Sequence, residues 1–183
     1  MALTSTMYHF DIELSLVDRD VYRSLSLRVA RHPSETAEYL LTRLLAYCLE
    51  YEEGIAFSRG ISTPEEPTIS VRNLTGDLVT WVEIGAPDAA RLHKASKAAP
   101  RVAIYTHKDP ALLLRQLSGA RIHRREFLEL YEVDRELLSA FVQRLERRMH
   151  IALSSIDGHL YLTTGQDTLT GVCPRHELTE TSS

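Results

Sequence analysis

The sequence lacks the features that would place it in a membrane or in a disulfide-rich class. It has only two cysteines, Cys48 and Cys173, in 183 residues, which is typical of a reducing compartment and not of a disulfide framework. No run of about 18 apolar residues occurs, so no membrane-spanning helix is expected. The N-terminus has no Lys or Arg before Arg19 and no continuous apolar stretch, so no secretory signal is expected. A cytoplasmic protein is therefore predicted.

Common catalytic motifs are missing as well. The sequence contains no G-x-S-x-G, P-loop, G-x-G-x-x-G or H-E-x-x-H motif. One Cys/His cluster is present, Cys173-Pro174-Arg175-His176, and a lone pair near a chain end is weak evidence for zinc. Any site must therefore be sought among the acidic and basic residues.

The composition that remains is that of an ordinary globular protein, with 44% apolar and 25% charged residues. A chain of this length can bury a substantial core. We find no internal repeat and no linker, so residues 1–183 are predicted to form a single domain.

Positive charge is concentrated in one stretch, although the net charge of the chain is −4. Residues 91–125 contain nine basic residues and one acid, Asp109. Such asymmetry indicates a surface that faces a polyanion, and it suggests nucleic acid as a partner. The alternative is that these charges are spread over several solvated faces, since order along the chain does not show clustering in space. The nine are Arg91, Lys94, Lys97, Arg101, Lys108, Arg115, Arg121, Arg124 and Arg125.

The hydrophobic pattern predicts a mixed α/β chain. Strict alternation predicts strands over 6–16 and 20–30, joined as a hairpin. A spacing of 3.6 residues predicts a helix from Glu35 to Glu52 with Ser34 as its N-cap. The last ten residues are expected to fray. The other predicted elements are strands over 55–61, 68–72, 78–84, 101–106 and 127–131, helices over 88–99, 109–117 and 134–147, and a C-terminal hairpin of 150–154 with 159–164.

The central hairpin, formed by strands 68–72 and 78–84, contains the first candidate for chemistry. The second strand should be interior, and its only charge is Glu83. A carboxylate in an apolar strand is costly unless it is paired, hydrogen-bonded or bound to a metal.

Strand pairing indicates which other acid could lie near Glu83. If the turn centres on about Thr75, the residue opposite Glu83 is about 67, so Glu66 or Glu65 would lie beside it. Asp77 lies six residues from Glu83 along the strand, about 20 Å, and is interpreted as a turn residue.

A further carboxylate, Glu38, occupies the first turn of the helix predicted over 35–52. It lies in line with Leu45 and Leu49 on one side of the apolar face, so it could point at a sheet. The alternative is a role at the positive end of the helix dipole, with its head group in water.

Several segments together resemble the signatures of bacterial YaeQ proteins, and the resemblance covers essentially the whole chain. It implies a restriction-endonuclease-like fold, a variant of the PD-(D/E)XK superfamily with an αβββαβ core of mixed sheet flanked by helices. The N-terminal and C-terminal hairpins would be additions to that core. The segments are Arg31-His32-Pro33-Ser34-Glu35-Thr36, Arg59-Gly60, Glu66-Pro67 and Trp81-Val82-Glu83-Ile84-Gly85-Ala86-Pro87-Asp88.

The same resemblance implies a metal site and a reaction. Glu38, Glu66 and Glu83 would hold Mg²⁺ or Mn²⁺, ions that prefer oxygen ligands and keep bound waters. The protein would hydrolyse phosphodiesters of DNA or RNA, with Glu66, Glu83 and a lysine as catalytic residues. Gly85 occupies the usual lysine position. In relatives that relocate the lysine it comes from the following helix, which gives Lys94, with Lys97 as the second choice.

Two other functions are compatible with the sequence. The protein could be a non-catalytic nucleic-acid-binding or regulatory module that keeps the fold, or a protein-interaction domain whose carboxylates are structural. Carboxylates grouped around a cavity would favour a metal, whereas carboxylates bonded separately to Arg or backbone groups would favour a structural role.

Overall fold

The computed structural model describes residues 4–59 and 65–178, and its chain divides into two compact units. Unit 1 comprises Met1–Leu49 and Val133–Cys173, and unit 2 comprises Glu50–Glu132 and Pro174–Ser183. Each unit combines a mixed sheet with two helices, which confirms the predicted α/β class. Among the described residues, no helix is long and apolar enough to cross a membrane.

The secondary structure consists of eleven strands and four helices within the described ranges. In chain order they are β1 (Thr6–Leu16), β2 (Val21–Arg31), α1 (Ala37–Leu49), β3 (Ile55–Phe57), β4 (Ile69–Arg72), β5 (Leu78–Ile84), α2 (Ala89–Ala98), β6 (Arg101–Thr106), α3 (Pro110–Gln116), β7 (Glu129–Glu132), α4 (Arg135–Gln143), β8 (Arg148–Ile156), β9 (His159–Thr164), β10 (Asp167–Val172) and β11 (Arg175–Glu177).

Unit 1 joins both predicted hairpins into one sheet. The strand order is β10-β9-β8-β1-β2, with β1 antiparallel to β2 and parallel to β8. The predicted alternation in β1 is confirmed, because Phe10, Ile12 and Leu14 are buried while Asp11 and Glu13 are exposed. The parallel β1–β8 pairing connects segments that are far apart in the sequence, so local patterns could not reveal it.

The C-terminal region is more ordered than the sequence predicted. Strand β10 pairs with β9, and β11 pairs with β7, although 175–177 falls within the ten residues expected to fray. The frayed-end prediction is therefore wrong for these residues, while 179–183 lie outside the described chain. Strand β11 is held by ladder hydrogen bonds to the distant strand β7, which local composition does not report, whereas β10 forms a hairpin with the adjacent β9.

Helix α1 is shorter than predicted at both ends. It starts at Ala37, and the Thr36 hydroxyl accepts a hydrogen bond from the Tyr39 amide at 3.1 Å, so Thr36 and not Ser34 acts as the cap. It ends at Leu49, after which the chain turns into β3 through Gly54. Gly54 has φ +96°, and a Cβ there would lie 2.0 Å from the Arg72 carbonyl oxygen, so the turn requires glycine.

The other boundaries differ less. Helix α4 stops at Gln143, short of the predicted 147, and β8 starts five residues later. Strand β3 is described only over Ile55–Phe57, and residues 60 and 61 of its predicted span lie outside the described chain.

Unit 2 is a six-stranded sheet in the order β11-β7-β6-β5-β4-β3. Strand β5 is interior, as predicted, with β4 antiparallel on one side and β6 parallel on the other. Helix α2 connects β5 to β6, which confirms the predicted parallel crossover. Its apolar side packs on the sheet, where Trp81, Leu92 and Ile104 share one buried cluster.

A bulge shifts the register of the central hairpin. Arg72 pairs with Leu78, but Val71 pairs with Thr80, so the partner strand carries one extra residue at that point. Ile69 then pairs with Val82, and the same offset applied one residue further would place Thr68 opposite Glu83. The predicted partner of Glu83, about residue 67, is therefore displaced by one.

A buried ionic network joins the start of unit 2 to its sheet. Arg101 Nη2 donates to Glu50 Oε1 at 3.0 Å and to Glu129 Oε1 at 3.1 Å, while the Tyr105 and Tyr131 hydroxyls donate to Glu50 and Glu129 respectively. Burial by itself raises the pKa of Glu129. Hydrogen bonds from Arg101 and Tyr131, together with the charges of Arg101 and Arg175, outweigh burial and hold that pKa below its ordinary value.

Because the folded-state pKa of Glu129 is depressed, its carboxylate stabilises the fold above the ordinary pKa of 4.5, and this contribution is lost as pH falls through the lower folded pKa. Replacement Glu129→Gln should lower the free energy of unfolding at neutral pH by about 1.5 kcal/mol, the low end for a bond to a charged group because Arg101 is 35% exposed. Denaturant unfolding between about pH 3 and pH 7 should show this difference shrinking at the acid end.

The control is Asp167→Asn, which removes an exposed ion pair with Arg144 and should change the unfolding free energy by less than about 1 kcal/mol. A Glu129→Gln difference that stays constant across the pH range would contradict the assignment.

Candidate carboxylate–arginine site

Strand β5 directs Trp81 and Glu83 to the same face of the sheet of unit 2, because side chains two residues apart point the same way. Trp81 belongs to the cluster that packs against α2, with Leu92 and Ala95. The Glu83 residue is only 4% exposed. A carboxylate buried this far must be compensated, as the sequence required.

Two side chains provide that compensation. The Trp81 indole Nε1 donates to Glu83 Oε1 at 2.6 Å, and Arg91 Nη2 lies 2.8 Å from the same oxygen. The Arg91 guanidinium also lies over the Trp81 ring, 5.4 Å from its centroid. Of the alternatives open for Glu83, the structure shows the ion pair and the hydrogen bond.

Arg91 extends the site to the segment with Glu65 and Glu66 that leads into the central hairpin, which we call the hairpin approach. The same Nη2 atom donates to the Glu66 backbone carbonyl at 2.7 Å, so this oxygen and the Glu83 carboxylate meet at one nitrogen. Helix α2 fixes Arg91 in its first turn, since the Asp88 side chain caps the helix by accepting from the Arg91 amide at 2.8 Å.

One turn further along α2, Lys94 forms an ion pair with Glu65. Both side chains are largely exposed, so this pair adds little stability. The structure therefore brings together Glu66, through its backbone, with Glu83, and it places Lys94 beside Glu65. Helix α2 binds the hairpin approach at two points, Arg91 and Lys94.

Gly85, at the position where the implied family pattern has lysine, adopts φ +89°. A lysine would be strained in this left-handed region, which glycine occupies freely. The departure from the pattern thus has a backbone cause. Asp77 is a turn residue, as predicted, because its amide and carboxylate bond to Asn73 and Thr75.

The predicted metal ligands are distributed over both units. Glu38 is an exposed residue of α1 in unit 1, whereas Glu66 and Glu83 belong to unit 2. Throughout 4–59 and 65–178, no three His, Cys, Asp or Glu residues form a group that could hold a metal ion. The residues near Glu83 do not fit Mg²⁺ as arranged, because a guanidinium already bridges the carboxylate and the Glu66 carbonyl.

The sequence prediction missed Arg91, the central residue of the site. It appeared only as one member of the basic stretch. A usable signal was present, since the helix that follows β5 is N-capped by Asp88 and brings its first turn near the end of that strand. A cation there is well placed to neutralise a buried acid on the strand.

The basic stretch as a whole is partly neutralised. Arg91, Lys94 and Arg101 form ion pairs with carboxylates. Arg125 donates to the carbonyls of Leu117, Ala120 and Leu178. The five others are exposed and form no ion pair within the described chain: Lys97, Lys108, Arg115, Arg121 and Arg124.

The chain is similar to known proteins in both sequence and structure. A family model described as YaeQ protein matches residues 1–172. The YaeQ protein of Escherichia coli (strain K12), described as uncharacterized, is 31% identical over 170 residues, which cover 92% of this chain and 94% of that protein.

Two crystal structures of YaeQ proteins are similar to this chain, each at 28% sequence identity. The protein from Xanthomonas axonopodis pv. citri has a TM-score of 0.85 and covers 95% of this chain and 99% of its own. The protein from Pseudomonas syringae has a TM-score of 0.81 and covers 97% of both. These similarities concern the family and the fold, and they give no information about an activity.

Replacement Arg91→Met should lower the free energy of unfolding by about 3 kcal/mol, because it leaves the Glu83 carboxylate buried without its counter-charge. The double variant Arg91→Met, Glu83→Gln should recover at least about 1 kcal/mol, since a neutral amide tolerates the site better. Lys94→Met serves as the control and should change stability by less than about 1 kcal/mol. Additive effects of the two substitutions in denaturant unfolding would contradict the pairing.

Proposed function

The chain belongs to the YaeQ family, and on that premise we propose that it is a nucleic-acid-binding protein on a restriction-endonuclease-like fold. The proposed function does not include metal-dependent cleavage. The chain order α1-β3-β4-β5-α2-β6 supports this fold, because it reproduces the αβββαβ order of the core that the resemblance implies. The N-terminal and C-terminal hairpins are then additions to that core.

One observation supports the functional proposal: two cations of α2 are paired with acidic residues, and a third is exposed. In the first half of the helix, Arg91 and Lys94 are engaged by acidic residues and hold the hairpin approach. In its last turn, Lys97 is exposed and forms no ion pair within the described chain. The acidic centre thus has its own cation, while the free positive charge faces solvent.

Contacts within unit 2 place other unpaired cations near Lys97. The His123 amide donates to Nδ1 of His93 on α2 at 3.1 Å, so residues 121–124 run beside the helix. Arg124 lines a shallow pocket together with Ser96 and Ala99, the neighbours of Lys97. We call Lys97, Arg121 and Arg124 the basic surface. Phosphate contacts of this kind supply affinity for nucleic acid without reading sequence.

The resident guanidinium supports the non-catalytic form of the proposal. Arg91 lies where a cation would have to balance Glu83, and it satisfies the Glu66 carbonyl at the same time. The negative charge of Glu83 is therefore balanced by the guanidinium of Arg91. A carboxylate neutralised in this way has a structural role, binding the crossover helix to the central hairpin.

Metal-dependent phosphodiester hydrolysis remains the second candidate, and one observation favours it. The Glu66 backbone carbonyl and the Glu83 carboxylate lie within hydrogen-bonding distance of one Arg91 nitrogen, so the two residues expected on the hairpin are near each other. The sheet and helix order that supports the fold would serve a nuclease equally well. The two candidates differ in whether Mg²⁺ binds at Glu83.

For the first candidate, we expect fluorescein-labelled oligonucleotides to bind the wild-type protein with an affinity that falls as salt rises. The triple variant Lys97→Gln, Arg121→Gln, Arg124→Gln should weaken binding and reduce the slope of log K against log salt by about two. A matched triple variant of exposed unit 1 arginines, Arg28→Gln, Arg147→Gln, Arg148→Gln, should bind as the wild type does. Absence of binding to single- and double-stranded DNA and RNA would refute the proposal.

Calorimetric titration of Mg²⁺ and Mn²⁺ separates the two candidates. We expect no saturable heat with the wild-type protein at millimolar metal, because Arg91 neutralises Glu83. The Glu83→Gln variant should behave in the same way. Saturable binding that disappears in Glu83→Gln would favour the second candidate and justify a cleavage assay.

A further inference from the structure

Phe127 is an exposed aromatic residue beside the basic surface. It is 57% exposed, although it immediately precedes Leu128, which is buried in the core of unit 2. The Arg124 guanidinium lies over its ring, 5.0 Å from the centroid. A single exposed apolar side chain needs no special explanation, so the surroundings decide whether this one has a role.

The backbone that carries Phe127 is held rigidly. Residues 125–127 form a 3-10 turn in which the Phe127 amide donates to the Arg124 carbonyl at 2.9 Å. Arg124 has φ +50°, an uncommon conformation for a residue other than glycine. Arg125 anchors the turn from within, donating to the Leu117 carbonyl at 2.7 Å and to the Leu178 carbonyl at 3.0 Å. The Phe127 side chain thus projects from a turn that is hydrogen-bonded to the rest of unit 2.

Next to the ring lies a small surface depression with a cavity volume of about 10 Å³. Its apolar lining comes from Ala99, Pro100, Val102 and Leu128, with Ser96, Arg124 and Phe127 completing it. This volume is below the roughly 300–1,000 Å³ of sites that enclose whole small molecules. The depression has room for about one water, so a planar ring would lie over it, against Phe127, without entering it.

Charge around the pocket indicates what kind of ring would bind. Lys97 and Arg121 are exposed nearby, and Arg124 is both a cation and part of the pocket. Glu126 is the one acid between Ser118 and Leu128. An aromatic face surrounded mainly by cations matches a nucleobase attached to a phosphodiester backbone.

We infer that Phe127 and the adjoining pocket form a stacking site for one unpaired base of a single-stranded nucleic acid, whose phosphates lie on the basic surface. This inference rests on the proposed function and adds the substrate class to it. Bases within a duplex are stacked on their neighbours and do not present a free face, so the site selects single strands. An arginine guanidinium and an aromatic ring are both surfaces on which bases stack.

The test compares Phe127→Ala with the wild-type protein on two probes of about 12 residues, oligothymidylate and an abasic strand with the same phosphates. Oligothymidylate should bind Phe127→Ala about tenfold more weakly than the wild type, while the abasic strand should bind both proteins equally. The salt slope should not change, because no phosphate contact is removed. Phe127→Trp should retain the affinity for oligothymidylate.

Leu112→Ala is the matched control, since Leu112 is another exposed apolar side chain of unit 2 and its loss should leave both affinities unchanged. Far-ultraviolet circular dichroism and denaturant unfolding verify that Phe127→Ala is folded, as its exposure leads us to expect. Equal binding of oligothymidylate by the wild type and Phe127→Ala would overturn the stacking site while leaving the proposed function intact. Wild-type protein that binds no oligonucleotide overturns both.

Discussion

The neutralisation of one buried carboxylate by one arginine organises the centre of unit 2. Glu83 lies on an interior strand where an unpaired charge would be costly, and Arg91 meets it from the first turn of the crossover helix. The same nitrogen holds the Glu66 backbone, so three parts of the chain meet at one guanidinium: the hairpin approach, strand β5 and helix α2. Loss of Arg91 would leave the carboxylate with the Trp81 hydrogen bond but without its counter-charge, and it would remove one of the two contacts that α2 makes with the hairpin approach.

This arrangement separates structural charge from charge available for binding. Four of the nine basic residues between 91 and 125 serve internal bonds, either to carboxylates or, for Arg125, to backbone carbonyls. Lys97, Arg121 and Arg124 remain on the surface, where helix α2 and the segment after α3 run side by side. Binding of a polyanion there would not disturb the Glu83 ion pair, because different cations serve the two roles.

The candidate site was only partly predictable from the sequence. Glu83 could be identified because it is the one charge in an apolar strand, and the approach of Glu66 followed from the hairpin, apart from the one-residue shift at the bulge. Arg91 was not distinguished from its basic neighbours, although its place in the first turn of the helix after β5 was a usable signal; its contact with Glu83 depends on the position of that turn over the sheet. Phe127 carried no sequence signal, because exposure of a single aromatic residue is a tertiary property.

The sequence by itself determined the α/β class, the family and most of the elements, because the periods of two and 3.6 residues reflect which side of each element is buried. It also determined the turn at Asn73 to Asp77 and the cap at Asp88, which depend on local hydrogen bonds. Only the tertiary structure decided the parallel β1–β8 pairing, strands β10 and β11, and the partner of Glu83. The β1–β8 and β11–β7 pairings join residues distant in the chain, and no local pattern records the energies of such contacts. The Glu83–Arg91 contact depends on how α2 packs on the sheet, and β10 forms a local hairpin with β9 that the sequence analysis did not predict.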